Sequence, residues 1–133
     1  MSEVIVLDTH IWLWFINSNL DKFPSHWLAQ IEAASQVGVS PVSCYEIALA
    51  HSRGRIELQS TPTEWFQGAL TTAGIEIFPV TEVIASRAVD LSPVHKDPFD
   101  RLIIATALVY EAKLASIDGL FSQYSELDGC LMK

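Results

Sequence analysis

Four carboxylates fall at places in the sequence where a role on an exposed surface explains them poorly. Asp8 and Asp118 each close an apolar, strand-like run, while Glu46 and Asp100 each lie near the start of a helix-like stretch. In an open α/β sheet, the ligand site lies beyond the carboxyl ends of the strands. Carboxylates gathered there can hold a metal ion that activates water for hydrolysis. We therefore predict that these four residues share one acidic, catalytic pocket.

Each of these residues also has a purely structural explanation. Asp8 can cap the helix that follows it, and Asp118 can serve as a turn residue. Ser43 and Glu46 have the spacing of a capping box, in which a serine and a glutamate satisfy the free N–H groups of a helix start. Glu46 can then bind a metal only if its carboxylate turns inward. The residues alone leave both explanations open.

Two aspartates flank Pro98 and Phe99 at the start of the most apolar helix-like stretch. One of them can be the N-cap, and proline suits the first helical position. The following helix is apolar nearly all round, so we expect it to be central in the fold or part of a subunit interface. We assign the cap to Asp97 and the functional role to Asp100.

A cluster of carboxylates requires a compensating positive charge. Two unscreened charges about 4 Å apart cost roughly 1 kcal/mol in water and about 4 kcal/mol at an effective dielectric constant of 20. The cluster therefore implies a divalent metal or a basic partner group. Oxygen ligands favour Mg²⁺, for which Mn²⁺ can substitute. The histidines lack mutual ligand spacing, and we expect ordinary surface or helix-end roles for His10, His26, His51 and His95.

Strand-like and helix-like segments alternate along the chain. Strands are predicted at residues 4–7, 37–42, 75–80 and 114–117, with a possible fifth at 130–132. Helices are predicted at 11–16, 25–34, 43–52, from 61 to about 74, at 81–91 and at 98–111. This alternation predicts one α/β domain over residues 1–133, with a central parallel sheet of about five strands and helices on both faces.

Composition narrows the class of function. With 8 basic and 16 acidic residues, the net charge is −8, which argues against a simple nucleic-acid-binding module. It does not exclude an enzyme that acts on nucleic acid through bound metal. The apolar runs are shorter than the roughly 20 residues of a membrane-spanning helix, and the start lacks the basic region of a signal peptide. We expect a cytoplasmic protein that does not associate with membranes, with Cys44 and Cys130 as reduced, half-buried thiols.

Four short motifs carry a resemblance to a known family. Residues 7–10 (LDTH) and 43–46 (SCYE) resemble the first and second acidic motifs of PIN-domain proteins. Residues 97–107 (DPFDRLIIATA) closely resemble the third motif of the VapC-like toxin ribonucleases of bacterial toxin–antitoxin pairs. Residues 115–118 (ASID) resemble the fourth, in which Thr-x-Asp is the commoner form and Ser116 is a departure. Their order and spacing agree over nearly the whole chain.

The resemblance implies the roles of individual residues. It assigns metal binding and catalysis to Asp8, Glu46, Asp100 and Asp118. Supporting positions around this set are Thr9, Ser43, Asp97 and Ser116. Candidates for contact with the RNA backbone are the basic residues nearest the motifs in sequence: Arg53, Arg55, Lys96 and Arg101. Solvated helix ends are an equally good explanation of these four basic residues.

The implied activity is Mg²⁺-dependent hydrolysis of RNA by a toxin that pairs with an antitoxin protein. The resemblance also implies a PIN-like parallel sheet, a homodimer, and products with a 5′-phosphate and a 3′-hydroxyl. A catalytically silent PIN module that only binds protein or RNA is the main alternative, although such a module would have lost an acidic residue. A phosphotransferase of the haloacid-dehalogenase type needs an aspartate two positions after Asp8, where His10 stands.

Three large aromatic residues follow Asp8 directly: Trp12, Trp14 and Phe15. They cannot all face one side of a helix, so at least one should be partly exposed. Exposed aromatic side chains favour protein interfaces. We predict that Trp14 contributes to antitoxin binding; burial of all three in the core or a dimer interface is the alternative.

Overall fold

A four-stranded parallel sheet forms the centre of the fold, and its order is β3-β2-β1-β4. The strands are β1 (Val4–Leu7), β2 (Gln36–Val39), β3 (Glu76–Ile77) and β4 (Lys113–Ala115). This computed structural model describes residues 3–133. β2 and β3 lie on one side of β1, and β4, the last strand in sequence, lies on its other side. Such a reversal of strand order is where open α/β sheets form their ligand crevice.

The described residues also form six α-helices: α1 (Thr9–Ile16), α2 (His26–Ala33), α3 (Pro41–Ser52), α4 (Pro62–Gln67), α5 (Glu82–Val89) and α6 (Pro98–Val109). A short π-helical segment, Gly68–Thr72, continues α4. The predicted α/β class, with a parallel sheet between helices, is confirmed. None of the helices in the described part of the chain is long and apolar enough to cross a membrane.

The two faces of the sheet bury different helices, because side chains alternate along a strand. Ile5 and Leu7 of β1 belong to one apolar core, which also contains residues of α1, α2 and α3. Val6, between them, belongs to a second core that includes Ile103 and Ile104 of α6. Ile103 to Ala107 are all buried. The apolar helix therefore lies in the interior, as the sequence predicted.

The predicted second strand extends too far at its carboxyl end. β2 ends at Val39, Ser40 is the N-cap of α3, and Pro41 is its first residue. Proline lacks the N–H that a strand needs and has the backbone angle that a first helical turn needs. The capping-box interpretation of Ser43 and Glu46 is therefore wrong, because both residues lie inside the helix.

The fifth predicted strand, at residues 130–132, is reduced to one parallel bridge between Leu114 and Leu131. Two backbone hydrogen bonds support this bridge, from Leu114 N to Cys130 O at 2.8 Å and from Met132 N to Leu114 O at 3.0 Å. β3 is also shorter than predicted, since it ends at Ile77, two residues before Pro79. Cys44 and Cys130 are free and half-buried, as expected.

Candidate active site

The carboxyl ends of β1 and β4 lie side by side at one edge of the sheet. The backbone N–H of Asp8, just after β1, donates to the carbonyl of Ala115 at the end of β4, at 2.9 Å. A cavity of about 480 Å³ opens at this edge. Its acidic lining consists of Asp8, Glu46, Asp97, Asp100 and Asp118. The structure thus brings the four predicted carboxylates and the neighbouring Asp97 to one place.

Asp8 is held by two hydrogen bonds at the start of α1. Its Oδ1 accepts from the backbone N–H of Thr9 at 2.9 Å, and its Oδ2 accepts from the hydroxyl of Ser116 at 2.7 Å. Burial raises the pKa of Asp8, although the Ser116 hydrogen bond opposes this effect. The side chain therefore has the position of a helix cap and also faces the cavity, so the two explanations are compatible.

Glu46 is fixed by a hydroxyl chain between α1 and α3. The hydroxyl of Thr9 donates to Glu46 Oε1 at 2.6 Å, and the hydroxyls of Thr9 and Ser43 lie 2.8 Å apart. Thr9 has one hydroxyl hydrogen, so Ser43 must donate to Thr9. Thr9 and Ser43 are both buried. Burial raises the pKa of Glu46, and the charges of Asp8 and Asp97 raise it further.

Asp97 and Asp100 divide their roles at the start of α6. Asp97 Oδ1 accepts from the backbone N–H groups of Phe99 at 3.0 Å and Asp100 at 3.4 Å, so Asp97 is the N-cap, as predicted. The Asp100 carboxylate is half-buried in the cavity wall. Burial, and after it the charges of Asp97 and Asp8, raise the pKa of Asp100 to about 7.

His95 is the site residue that sequence reasoning missed, because we expected an ordinary surface or helix-end role for it. Its Nε2 lies 3.2 Å from Asp100 Oδ2, and its Nδ1 lies 2.6 Å from the hydroxyl of Tyr124. The ring is largely covered, with 16% of the side chain exposed. Its position five residues before Asp100 is the one local signal, because its other partner, Tyr124, is 29 residues away in sequence.

Asp118 lies on the rim of the cavity. The side chain is exposed, and its Oδ1 accepts from the backbone N–H of Leu120 at 2.9 Å. Its own backbone N–H donates to the hydroxyl of Ser116 at 3.1 Å. Asp118 is therefore a turn residue, and Ser116 connects it to Asp8.

The basic candidates fall into three groups. Arg53 and Arg55 are exposed and line a groove of about 380 Å³, which shares Thr9, His10 and Glu46 with the acidic cavity. Lys96 is exposed but lines a different groove, between α5 and α6. Arg101 requires a correction, because its guanidinium donates to five backbone carbonyls and to Tyr124. With its donors engaged inside the fold, it does not serve as a phosphate contact.

The carboxylates line the cavity, but their oxygens do not converge on one point. Over residues 3–133, no three His, Cys, Asp or Glu side chains form a group that could hold a metal ion. Uncompensated carboxylates repel each other, and the raised pKa values of Asp8, Glu46 and Asp100 reflect burial together with that repulsion. Mg²⁺ keeps several waters and takes only one or two protein carboxylates directly, so it does not need a tight protein cage.

Known proteins are similar to this chain in sequence or in fold. Ribonuclease VapC22 of Mycobacterium tuberculosis is 29% identical over 115 residues, which are 86% of this chain and 86% of that protein. VapBC2 from Rickettsia felis, solved with a DNA fragment from its promoter, has a TM-score of 0.73 at 16% identity and covers 97% of both chains. DNA-bound VapBC from Salmonella typhimurium has a TM-score of 0.66 at 14% identity over 95% of both chains.

The family match extends over nearly the whole sequence. The family model for the PIN domain matches residues 5–127. This range contains all four predicted carboxylates: Asp8, Glu46, Asp100 and Asp118. The chain belongs to the PIN domain family.

Proposed function

We propose that this chain is a Mg²⁺-dependent endoribonuclease and the toxin of a type II toxin–antitoxin pair. The observation that carries the proposal is the single cavity at the β1–β4 edge, which all four predicted carboxylates line. The likeness to a protein named as a VapC ribonuclease supports the choice of RNA as substrate. A similar structure named as a toxin–antitoxin complex, from Klebsiella pneumoniae, supports the choice of partner.

The donor set fits a divalent cation. Asp8, Glu46, Asp100 and Asp118 offer only oxygen ligands, which suit Mg²⁺ or Mn²⁺. When bound, the ion would supply polarisation of the scissile phosphate and a lowered pKa of the attacking water. The raised pKa values of the half-buried Asp8 and Asp100 mean that ionising these carboxyl groups costs free energy. A bound cation would offset that cost.

The other side chains orient these ligands. Ser116 and the backbone N–H of Thr9 hold the two oxygens of Asp8, and the Ser43–Thr9 chain holds Oε1 of Glu46. One carboxylate of the set accepts the proton of the attacking water. Hydrolysis leaves a 5′-phosphate and a 3′-hydroxyl, as the family resemblance implies.

The substrate groove extends from the acidic cavity along α3. Arg53 and Arg55 stand at the far end of the shared groove, where they can pair with RNA phosphates. Tyr45 is 56% exposed, and its ring lies 5.4 Å from that of Phe99. Exposed aromatic rings beside a basic groove suit the unstacked bases of single-stranded RNA.

The proposal includes two protein partners and a location. The antitoxin supplies a basic group to the acidic cavity and an apolar segment to Trp14, which lines that cavity and is half-buried. A second copy of this chain is the other partner, as the family resemblance implies. A toxin that cleaves RNA acts where cellular RNA is, so the proposed location is the cytoplasm.

The proposed metal ligands are tested by cleavage of labelled RNA with the purified chain under matched Mg²⁺. Asp8→Asn and Asp100→Asn should each lower the rate by at least roughly 100-fold, because each removes a charged ligand of the ion. Asp128→Asn is the matched control, since it makes the same change at an exposed aspartate outside the cavity, and it should leave the rate unchanged. Circular dichroism checks that each variant is folded.

Two outcomes would contradict this function. Wild-type rates in both ligand variants would mean that the acidic cavity is not the catalytic site. Absence of cleavage by the wild-type chain with either Mg²⁺ or Mn²⁺, together with binding of a partner protein, would favour the catalytically silent PIN module.

Asp97→Asn separates capping from metal binding at the start of α6. Asparagine caps a helix nearly as well as aspartate, so the helix should be kept. We expect this variant to lose far less cleavage rate than Asp100→Asn in the same assay. Equal losses would show that Asp97 takes part directly in the metal site.

A further inference from the structure

A chain of hydrogen bonds connects an internal arginine to the Asp100 carboxylate. Arg101 Nη1 lies 3.3 Å from the Tyr124 hydroxyl, which lies 2.6 Å from His95 Nδ1. His95 Nε2 lies 3.2 Å from Asp100 Oδ2. Tyr124 is fully buried, so its hydroxyl is shielded from water. The four side chains therefore form one connected unit behind the acidic cavity.

Arg101 is the fixed end of this unit. Its Nη1 also donates to the carbonyls of Ser92 at 2.9 Å and His95 at 3.1 Å. Its other nitrogens donate to carbonyls at and after the end of α5: Ala88, Val89 and Leu91. A guanidinium keeps its protons in a protein and has no acceptor atom, so Arg101 can act only as a donor.

The direction of the remaining hydrogen bonds follows from that end. Arg101 Nη1 has two hydrogens for three neighbouring oxygens, of which the Tyr124 oxygen, at 3.3 Å, is the most distant. Because Arg101 cannot accept, the hydrogen of the Tyr124 hydroxyl has His95 Nδ1 as its acceptor among the described residues. Nδ1 is then the acceptor of this hydrogen bond, and the ring donates through Nε2–H. That N–H points to Asp100 Oδ2, which accepts it. In this arrangement the Tyr124 hydroxyl hydrogen and both ring nitrogens of His95 have a partner.

We propose that His95 is a positioning residue for Asp100, held by Tyr124 and Arg101 so that its Nε2–H donates to the carboxylate. This inference rests on the proposed function in one respect, namely that Asp100 is a metal ligand. The imidazole fixes Oδ2, and among residues 3–133 the other oxygen, Oδ1, receives no side-chain hydrogen bond. Asp100 thus presents one oriented oxygen to the cation, as Glu46 does through its hydroxyl partner. Ligand orientation by such outer contacts affects metal affinity about 10–100-fold.

The first test reads the tautomer in the metal-free protein. Long-range ¹H–¹⁵N correlation spectra of the ¹⁵N-histidine-labelled chain at pH 8 should show a proton on His95 Nε2. Tyr124→Phe keeps the buried ring and removes the hydroxyl, so it should introduce the Nδ1–H tautomer at His95. A wild-type ring whose Nε2 carries no proton would overturn the proposal.

The second test measures Mn²⁺ affinity by electron paramagnetic resonance. His95→Ala should weaken binding by about tenfold or more, and His95→Gln, whose side-chain amide can donate to Asp100, should recover most of that loss. His51→Ala is the control for loss of an imidazole away from Asp100 and should bind as the wild type does. Equal Mn²⁺ affinity of the wild type and His95→Ala would overturn the positioning role.

The two tests separate this proposal from the proposed function. A wild-type chain that neither binds Mn²⁺ nor cleaves RNA would contradict the metal-dependent nuclease, while the tautomer of His95 and its response to Tyr124→Phe would still decide the hydrogen-bond unit. Conversely, a nuclease with normal Mn²⁺ affinity in His95→Ala would keep the proposed function and remove the positioning role.

Discussion

The charge of the Asp100 carboxylate depends on what surrounds it. Burial and the charges of Asp97 and Asp8 raise its pKa from 3.8 to about 7. The folded chain therefore holds the proton of Asp100 more tightly than the unfolded chain does. By linkage, the stability from this protonation is fully present below about pH 4 and is lost as the pH rises through about 7. Asp8 and Glu46 have pKa values shifted in the same direction, so they add to the same trend.

We predict that the metal-free protein melts at a lower temperature at pH 8 than at pH 5, measured in a chelator by circular dichroism. Asp100→Asn should reduce this difference, because an amide carries no charge at either pH. Adding Mg²⁺ at pH 8 should raise the melting temperature of the wild type more than that of Asp100→Asn. An unchanged pH dependence in the variant would contradict the raised pKa, and Asp128→Asn provides the comparison for a remote aspartate.

Carboxylates beside an apolar strand or helix were predictable, and residues whose roles depend on the distant Tyr124 were not. The positions of Asp8 and Asp100 followed from an apolar strand and an apolar helix beside them in sequence. The roles of His95 and Arg101 depend on Tyr124, which is 29 and 23 residues away. No spacing rule connects such residues. The sequence therefore predicted contact with the RNA backbone for Arg101 and an ordinary surface or helix-end role for His95.

At the scale of elements, the close approach of β2 to the ring of Phe78 explains a glycine in the middle of a buried strand. A Cβ built at Gly38 would lie 2.4 Å from ring atoms of Phe78. The ring has little room to move, because it is 2% exposed and stacks on Tyr110 at 4.2 Å. Gly38 thus allows this ring to lie directly against the sheet.

We predict that Gly38→Ala destabilises the protein by about 1–3 kcal/mol, the usual cost of overpacking a core. Denaturant unfolding measures the loss. In a Phe78→Leu background, the same substitution should cost less, since the smaller side chain leaves room for the new methyl group. Equal costs in the two backgrounds would mean that contact with Phe78 is not the reason for this glycine.

The order and type of the elements could be read from the sequence, whereas several boundaries could not. Apolar runs and helix caps predicted β1 and α6 to within two residues. The end of β2 was misplaced because Val42 continues the apolar run, although Pro41 already begins α3. Pro79 similarly follows a strand that is shorter than its apolar run. At these places, backbone geometry overrides the hydrophobic pattern.

At the scale of the whole molecule, the net charge of −8 and the acidic cavity favour a basic partner. A guanidinium can form paired hydrogen bonds with two carboxylates, so an antitoxin arginine would occupy the space of the cation. We predict that excess Mg²⁺ weakens binding of an Arg-containing antitoxin peptide to the wild-type chain, measured by fluorescence anisotropy at constant ionic strength. Equal weakening by an inert salt at that ionic strength would contradict a shared site.

The apolar part of this partner's binding surface is expected at Trp14. The three aromatics of α1 differ in burial: Trp12 is fully buried and donates to the carbonyl of Ala69 at 3.1 Å, whereas Trp14 and Phe15 are half-buried. Trp14 lines the acidic cavity, where its ring is tilted against that of His10, with 5.5 Å between the ring centres. An aromatic side chain beside the proposed arginine site is placed to become buried when a partner binds.

We predict that Trp14→Ala weakens antitoxin binding by at least roughly tenfold, the loss expected for a truncated interface aromatic. Its effect on the melting temperature should be smaller than that of Trp12→Ala, because removal of a fully buried tryptophan costs about 3–5 kcal/mol. Titration of the cognate antitoxin against both variants, with melting curves of the same samples, separates the two losses. If Trp14→Ala bound the antitoxin normally and melted as early as Trp12→Ala, Trp14 would belong to the core rather than to the interface.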